Sequence, residues 1–392
     1  MPQKRTSAAG KTYWRGRVRG PDGKERGKSF TRRADAKAWE EEQRASMRTA
    51  SWVDSADRAT VADALDRWAS RPGLRASSRR AYKTVADNLD WLGGVRLQRL
   101  TRRDVDDWHR QLVSGRPWTG ETAVTAPTAR QWMMIVSAAL SLAVEEGHLA
   151  RNPVRAPKVS ASRAVSRSDI PTVEDVGAIC GLLDAGGAVY VDGRGRHVQR
   201  PQPVVADMVR TAVGTGLRVS ELCGLTVGRV DFLGRVVHVE AQASPNGKVL
   251  VGLKTRASRR SVPVADDLLA VLDRRCAGKG PDERVFTTSR GVPLGHTRAG
   301  EHLRVAAAHL GMGWTFHSLR HFYASLLIAR GVPVSGVQHA LGHDSASTTL
   351  GVYTHLWPGA SDVTRRAVEG VVGPLVGNLW ENRNMGRPAA WG

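Results

Sequence analysis

The sequence lacks the long apolar stretches of a membrane protein. No run of about 18 apolar residues occurs in the 392-residue chain, so the sequence predicts no transmembrane helix. The N-terminus, MPQKRTSAAG, also lacks the apolar segment of a signal peptide. We therefore expect a soluble intracellular protein with no membrane partner.

Several motifs of cofactor chemistry are also missing. The sequence has no GxxxxGK phosphate-binding loop, no HExxH and no paired CxxC, so nothing in it predicts ATP use or a bound metal. Its three cysteines, Cys180, Cys223 and Cys276, fit neither a disulfide framework nor a zinc site by their spacing. We predict no cofactor and no metal, and we expect the cysteines to be small buried apolar residues.

Acidic residues are scarce relative to basic ones. The chain has 58 Lys and Arg against 37 Asp and Glu, for a formal charge of +21 and a pI near 10.9. Such a balance predicts a polyanionic partner, with nucleic acid as the first candidate and an anionic membrane surface as its rival.

The first 33 residues are the most basic segment, with eleven Lys and Arg against two acids. In TYWRGRVR, arginines alternate with less polar residues, and the strand period of two places them on one face; these are Arg15, Arg17 and Arg19. GPDG predicts a turn, KERGKSF a second strand, and a helix follows from near Thr31. A basic two-stranded ribbon can enter a DNA major groove, although a solvated hairpin without a specific role is the alternative.

Residues 60 to 153 show helical periodicity. Val61, Leu65 and Trp68 form one apolar stripe, and Thr101 with Asp104 predicts a capping box at a helix start. Basic residues cluster at LRASSRRAYK, where solubility is one explanation and phosphate contact is the other. The residues predicted to contact phosphate are Arg79, Arg80 and Lys83.

A third segment begins near residue 173, after a basic stretch at 155–172 that predicts a linker. It opens with a helix, continues through GGAVYVDGRGRHVQRPQP, which predicts a mobile loop, and includes β-like runs at RVVHVE and KVLVGLKTRASRRSVPV. The pattern after Pro263 is helical. In WTFHSLRHFYASLLIARG, Leu319, Phe322 and Leu326 predict a helix with one apolar face. Its first turn is cationic, which predicts an anion bound there.

Six chemically reactive or cationic residues follow one another at defined intervals. They lie in TGLRVSEL, LKTRASRRSVPV, HSLRH, LGH and TTLGVYTHL, and they are Arg218, Lys254, His317, Arg320, His343 and Tyr353. This ordered set resembles the catalytic residues of the tyrosine recombinase family, which comprises the phage integrases and their relatives. The basic N-terminal segment and the helical middle segment resemble the arm-type DNA-binding and core-binding domains of integrases.

The resemblance implies a multidomain tyrosine recombinase fold. We expect a small α+β N-terminal DNA-binding domain at 1–55, an all-α core-binding domain at 58–154 and a basic linker at 155–172. A mainly α catalytic domain with a small antiparallel β-sheet is expected at 173–377, and a tail at 378–392.

The resemblance also implies an enzyme that cleaves and rejoins DNA without metal or ATP. Attack on phosphorus adds negative charge to the non-bridging oxygens, and Arg218 and Arg320 are expected to bind them through charge-assisted hydrogen bonds. Losing one such preorganised donor typically costs about 3 kcal/mol of barrier. Tyr353 is the expected nucleophile, and because its unperturbed pKa is about 10 it needs a base or a cationic field.

The remaining family positions supply proton transfer and support. His317 is the expected base, His343 a hydrogen-bond donor to the phosphate, and Lys254 the general acid for the departing 5' hydroxyl. Glu221 is expected to orient a catalytic cation, and His321 to be a structural or supporting group. A covalent 3'-phosphotyrosine would conserve the phosphodiester, which is consistent with the missing nucleotide-binding motif.

The implied partners are double-stranded DNA at attachment sites and three further copies of the chain, as a homotetramer on paired DNA sites. An excisionase or a DNA-bending protein is an expected accessory factor. The implied function is integration or excision of a phage or mobile element in the cytoplasm of a bacterial host.

Other interpretations remain open at this point. A type IB topoisomerase would use the same chemistry to relax supercoils, and a non-catalytic architectural or regulatory protein would only bind DNA. The pairs His317/His321 and His339/His343 have the spacing of metal ligands on a helix, which leaves a metal-dependent nuclease as a further alternative. Tyr323 competes with Tyr353 as nucleophile, but its place inside the amphipathic helix favours packing.

Overall fold

The computed structural model describes residues 1–7, 11–20, 23–48, 57–120, 122–154, 166–253 and 255–357. The chain divides into two compact units, residues 1–159 and 160–392. Lys254, the C-terminal tail and most of the predicted linker lie outside the described residues, so the domain boundaries drawn there stay predictions. Within the described ranges, no helix is long and apolar enough to cross a membrane.

The first unit begins with an antiparallel sheet and a helix. The elements are β1 (Gln3–Thr6), β2 (Thr12–Arg19), β3 (Glu25–Phe30) and α1 (Arg33–Arg48), with β2 in the middle of the sheet. The sequence predicted β2, β3 and the helix but not β1. Every residue of β1 is exposed, so this edge strand has no apolar alternation by which it could be recognised.

Helix α1 covers one face of this sheet. Val18 is buried, and Gly16 lies so close to α1 that a Cβ there would be 2.9 Å from Cε3 of Trp39. Since side chains alternate along a strand, Arg15, Arg17 and Arg19 lie on the opposite, open face.

Four helices follow in the first unit: α2 (Val61–Ala69), α3 (Ala76–Ala86), α4 (Arg102–Ser114) and α5 (Ala126–Glu145). The predicted capping box is present, because Asp104 N–H donates to Thr101 Oγ1 and Thr101 N–H donates back to Asp104. Leu65 and Trp108 are buried in the core of these helices, and the indole N–H of Trp108 donates to Asn88 O at 2.9 Å.

The second unit opens with two helices that enclose a hairpin. The elements are α6 (Val173–Ala185), β4 (Val189–Asp192), β5 (Gly195–Val198) and α7 (Pro203–Thr215). The loop predicted over this stretch is a hairpin instead, because β4 and β5 pair antiparallel. Tyr190 stacks on His197 across the strands, and Asp192 accepts a hydrogen bond from Arg194 N at the turn. These local contacts hold a hairpin despite the Gly-rich composition.

Short strands then lead to the C-terminal helices. The elements are α8 (Val219–Gly224), β6 (Val230–Asp231), β7 (Val236–Val239), β8 (Ala241–Ala243), β9 (Leu250–Gly252), β10 (Arg260–Pro263), α9 (Asp266–Cys276), α10 (His296–His309), α11 (Phe316–Ala329), α12 (Val334–Leu341) and α13 (Ala346–Tyr353). Strands β10, β7 and β6 form one antiparallel sheet, and β8 pairs with β9. Lys254 falls between β9 and β10.

The core of the second unit is built around α7 and α11. The three cysteines are buried, as predicted. The apolar face predicted for α11 is only partly right, since Leu319 is buried whereas Leu326 is 39% exposed. The buried face includes Arg320 and Tyr323 instead of Phe322, because the guanidinium of Arg320 is satisfied by backbone carbonyls and can therefore enter the core.

Candidate active site

Arg218 is positioned by the junction between α7 and α8. Helix α7 ends at Thr215 and is followed by Gly216, whose φ of +64° is the left-handed conformation that glycine adopts without strain. Arg218 then precedes α8, and its backbone N–H donates to Glu221 Oε2 at 3.0 Å. The Arg218 side chain is 37% exposed, so it lies at the surface of this unit.

Glu221 is a buried carboxylate held between two guanidinium groups. Its Oε1 lies 2.8 Å from Nη1 of Arg218, and its Oε2 lies 2.9 Å from Nη2 of Arg260. Burial alone would raise the pKa of Glu221, but the charges and hydrogen bonds of Arg260 and Arg218 outweigh it and lower that pKa. The expectation that Glu221 orients a cation therefore has a geometric basis: it fixes Arg218.

Three arginines bind consecutive carbonyl groups at the C-terminal end of α12. The pairs are Arg260 with Ala340, Arg320 with Leu341, and Arg218 with Gly342. The last carbonyls of a helix have no partner within it and form the negative end of its dipole, so cations are favourable there. This arrangement gathers the cations immediately before His343.

Arg320 is almost fully buried, with 2% of its surface exposed. Its Nη1 donates to Gly216 O at 2.7 Å, so the side chain joins α11 to the end of α7 as well as to α12. Burial, with the like charge of Arg218, lowers the pKa of Arg320 to about 9, which still leaves it charged at neutral pH. Two of its five N–H donors are engaged by these carbonyls.

His343 follows α12 and is oriented by the next helix. Its Nδ1 lies 2.9 Å from Oγ1 of Thr349, a fully buried residue of α13. Burial and the charges of Arg320 and Arg218 lower the pKa of His343 to about 4, so the imidazole is neutral at neutral pH. If Thr349 donates to Nδ1, the proton is on Nε2, which is then available to donate to a ligand.

Tyr353 ends α13, and its hydroxyl contacts His321 of α11. Tyr353 Oη lies 2.6 Å from His321 Nδ1, and only 1% of the tyrosine is exposed. Burial raises the pKa of Tyr353 to about 12, although the charge of Arg320 opposes the shift. His317, the expected base, packs against His321 with ring centroids 4.5 Å apart; burial, Arg320 and Arg218 lower its pKa.

The second unit thus brings together the predicted residues that it describes: Arg218, Glu221, His317, Arg320, His321, His343 and Tyr353. Tyr323 is buried and packs against Gly216, in agreement with a packing role. Among the described residues, no cluster of three or more His, Cys, Asp or Glu side chains could hold a metal ion.

Sequence reasoning missed two members of this cluster. Arg260 stands near Arg256 and Arg259 in a basic stretch of the sequence, yet its side chain is fully buried. A signal for it was available, because Arg260 and Val262 share one face of a strand by the period of two. The signal for Thr349 is weaker, because it consists only of the position of this residue one helical turn before Tyr353.

The predicted DNA-contacting residues lie in the first unit. Arg15, Arg17 and Arg19 share the open sheet face, where Arg17 pairs with Glu25 at 3.2 Å. Arg79 and Arg80 are exposed on α3. Lys83, on the same helix, pairs with Asp87 at 2.9 Å.

Comparison with known proteins identifies the second unit. Residues 202–358 match the model of the Phage integrase family. The tyrosine recombinase XerD of Mycobacterium leprae is 29% identical over 303 residues, which are 73% of this chain and 90% of that protein. Tyrosine recombinase XerC of Xylella fastidiosa is 31% identical over 228 residues, which are 54% of this chain and 64% of that protein.

The fold is also similar to solved structures. The Tn1549 transposon integrase in complex with a circular intermediate DNA aligns with a TM-score of 0.63 at 18% identity, over 80% of this chain and 99% of that one. A lambda integrase from a tetramer bound to a Holliday junction aligns with a TM-score of 0.53 at 19% identity, over 88% of this chain and 97% of that one.

These matches confirm the predicted fold class, a mainly helical integrase fold with small antiparallel sheets. They define the protein as an enzyme of DNA recombination. Residues 202–358 belong to the phage integrase family, and the chain is similar over most of its length to tyrosine recombinases, whose members cleave and rejoin DNA in site-specific recombination.

Proposed function

We propose that this protein is an integrase of a phage or mobile element that breaks DNA through a covalent 3'-phosphotyrosine intermediate. The observation that supports it most is the position of Tyr353, whose hydroxyl lies beside His321 and in the field of the buried Arg320. A tyrosine hydroxyl among gathered cations is suited to attack an anion, and the scissile phosphate is that anion.

In the proposed cleavage step, Tyr353 Oη attacks phosphorus and gives up its proton to His317, the base expected from the family pattern. The new bond joins Oη to phosphorus, and the bond to the 5' oxygen breaks. Arg218 and Arg320 bind the non-bridging oxygens, and His343 donates from Nε2. Lys254, assigned from the family pattern, gives its proton to the leaving 5' oxygen. The reverse step reseals a strand when a second 5' hydroxyl attacks the phosphotyrosine, so no external energy source is needed.

We infer that the first unit carries two DNA-binding domains. The proposed arm-type domain at 1–55 carries the basic open face of its sheet, and the proposed core-binding domain at 58–154 carries Arg79 and Arg80. Both sets are exposed cations suited to phosphate contact. The catalytic domain, proposed for 173–377, would cleave and rejoin the core site.

The basic sheet at the N-terminus supports a mobile-element role. The match to XerD of Mycobacterium leprae covers 90% of that protein but leaves about a quarter of this chain outside it. An additional basic domain allows a second class of DNA site to be held. By analogy with the lambda integrase tetramer on a Holliday junction, we propose a homotetramer on paired sites in the bacterial cytoplasm, with an excisionase or DNA-bending protein as accessory partner.

The test starts from host DNA, where the junctions that the protein creates are sequenced and supply its core site. On a nicked suicide duplex of that site, the wild-type chain should form a covalent protein–DNA adduct. Tyr353→Phe should form none while binding the duplex equally well, and Tyr323→Phe is the matched control that should retain the adduct. Adducts that persist in Tyr353→Phe would contradict the assignment.

Two further measurements separate the alternative functions. Exchange of flanking DNA between two core-site duplexes distinguishes recombination from topoisomerase-like relaxation, which changes only supercoiling. Cleavage that is undiminished in EDTA removes a metal-dependent nuclease. Binding without any adduct would favour an architectural protein.

A further inference from the structure

His321 has no part in the proposed cleavage step, yet its ring nitrogen contacts the hydroxyl of the nucleophile. Its Nδ1 lies 2.6 Å from Tyr353 Oη, and the two rings meet edge to face with centroids 5.5 Å apart. Tyr353 is 1% exposed. The hydroxyl is therefore held by a specific hydrogen bond within a packed environment.

The direction of this hydrogen bond follows from the ionisation of both groups. Burial raises the pKa of Tyr353 to about 12, so its hydroxyl carries a proton at neutral pH. Burial, together with the nearby His317 and Arg320, lowers the pKa of His321 to about 4, so its ring is neutral. The hydroxyl donates and Nδ1 accepts, which places the ring proton of His321 on Nε2.

We propose that His321 is the positioning residue of the nucleophile, whose Nδ1 accepts the hydrogen bond of Tyr353 and holds Oη in the direction of attack. The inference rests on the proposed function and deepens it. It assigns orientation and not proton abstraction to His321, because an imidazole with so low a pKa is a poor base for a hydroxyl with so high a pKa.

The anchoring of the neighbouring residue supports this assignment. Arg320 precedes His321 on α11 and is fixed by the carbonyls of Gly216 and Leu341. Consecutive residues of one rigid helix therefore bind the phosphate oxygens and hold the attacking oxygen. A misplacement of about 1 Å in such an arrangement can cost roughly 100-fold in rate.

Three substitutions of His321 distinguish a role of the hydrogen-bond acceptor at Nδ1 from a role of the whole imidazole ring. In His321→Asn, the side-chain Oδ1 takes the place of Nδ1 and can accept the same hydrogen bond. In His321→Gln, the acceptor lies near the former Nε2, and in His321→Leu there is none. The readout is the single-turnover rate of adduct formation on the nicked core-site duplex, with duplex affinity and the thermal unfolding midpoint measured in parallel.

We expect His321→Asn to stay within about tenfold of the wild-type rate, since most of one hydrogen bond is preserved. We expect His321→Gln and His321→Leu to lose about 100-fold at unchanged duplex affinity. His339→Asn, at an exposed position on α12, is the matched control and should leave the rate unchanged. If His321→Leu does not fold, the comparison of Asn with Gln carries the test, because both are amides.

Equal rates for His321→Asn and His321→Leu would overturn the proposal, and so would a wild-type rate in His321→Leu. Failure of the proposed function looks different, since the wild-type chain itself would then form no adduct through Tyr353. If the wild-type chain forms adducts and all His321 variants form them at the wild-type rate, only the positioning role is refuted.

Discussion

Glu221 and Arg260 form an ion pair in which both side chains are buried, with Oε2 of the carboxylate 2.9 Å from Nη2 of the guanidinium. The pair joins α8 to β10, and Arg260 continues to Ala340 O at the end of α12 at 2.8 Å. The same carboxylate holds Arg218 through its other oxygen. Arg218, the exposed arginine proposed to bind phosphate, is therefore held by a carboxylate that the buried Arg260 fixes in place.

Replacing Glu221 by Gln should destabilise the protein strongly. The substitution keeps the shape but leaves the buried Arg260 without its counter-charge, and breaking such a pair typically costs about 3–5 kcal/mol. Urea unfolding of the full chain, followed by the transition of the second unit, measures the loss. Glu240→Gln is the matched control, because its pair with Arg229 is about half exposed and should cost at most about 1 kcal/mol. Equal losses would contradict the prediction.

The stabilisation by Glu221 should also depend on pH in a defined direction. The pKa of Glu221 is lowered from 4.5 in the folded state. A depressed carboxyl pKa stabilises the fold above the unfolded value, and this contribution is lost as pH falls through the folded pKa. The stability gap between wild type and Glu221→Gln should therefore be constant near neutrality and narrow below about pH 4.5. Unfolding curves at several acidic pH values measure this difference in stability. A difference that widens on acidification would contradict the prediction.

Thr349 should affect catalysis through His343. Thr349→Val removes the hydroxyl that lies 2.9 Å from Nδ1 of His343 while keeping the branched shape. Loss of one hydrogen bond of about 1 kcal/mol should slow adduct formation by roughly fivefold, whereas Thr349→Ser should remain near the wild-type rate. Thr348→Val, at the exposed neighbouring position, is the control. Equal rates for Val and Ser at position 349 would exclude this role.

Much of the site could be predicted because its residues lie in local motifs. The ordered cations and Tyr353 are read from the chain directly, and the capping box at Thr101 follows from a three-residue spacing. The fold class follows from helical periodicity together with the family pattern. These features need no knowledge of which distant segments meet.

The rest depends on tertiary contacts that a single sequence does not contain. Arg260 is buried because a carboxylate 39 residues earlier and a carbonyl 80 residues later both meet it. Arg320 enters the apolar face of α11 for the same reason. The hydrogen bond between His321 and Tyr353 joins residues that are 32 positions apart. Their spacing in the sequence therefore does not indicate the contact.

Gly216→Ala should reduce both stability and activity. At φ +64° a side chain is strained by about 1–2 kcal/mol, and the new Cβ would lie 2.3 Å from Cδ1 of Tyr323. Overpacking adds about 1–3 kcal/mol, and the carbonyl that anchors Arg320 would shift. Gly311→Ala isolates the backbone strain, because Gly311 has φ +72° and open space around it. Unfolding free energies of both variants test this, and a loss in Gly216→Ala no larger than that in Gly311→Ala would refute the steric part.

The open face of the N-terminal sheet should determine the salt dependence of arm-site binding. Each guanidinium that binds a phosphate releases counterions, so the slope of log K against log salt should flatten by about 0.9 for each such guanidinium that is removed. Arg15→Ala, Arg17→Ala and Arg19→Ala should each reduce the slope, and Arg17 should matter least because Glu25 already pairs with it.

The control for this face is a lysine of the same sheet. Lys28 lies opposite Gly16 in the register, on the face that α1 covers, and its Nζ is 5.5 Å from the Phe30 ring. Lys28→Ala removes the same charge as the arginine substitutions, but from the face of the sheet that α1 covers. Titrations of arm-site DNA at several salt concentrations should show an unchanged slope for this variant. If Lys28→Ala flattened the slope as much as Arg15→Ala, the effect would come from net charge and not from the open face.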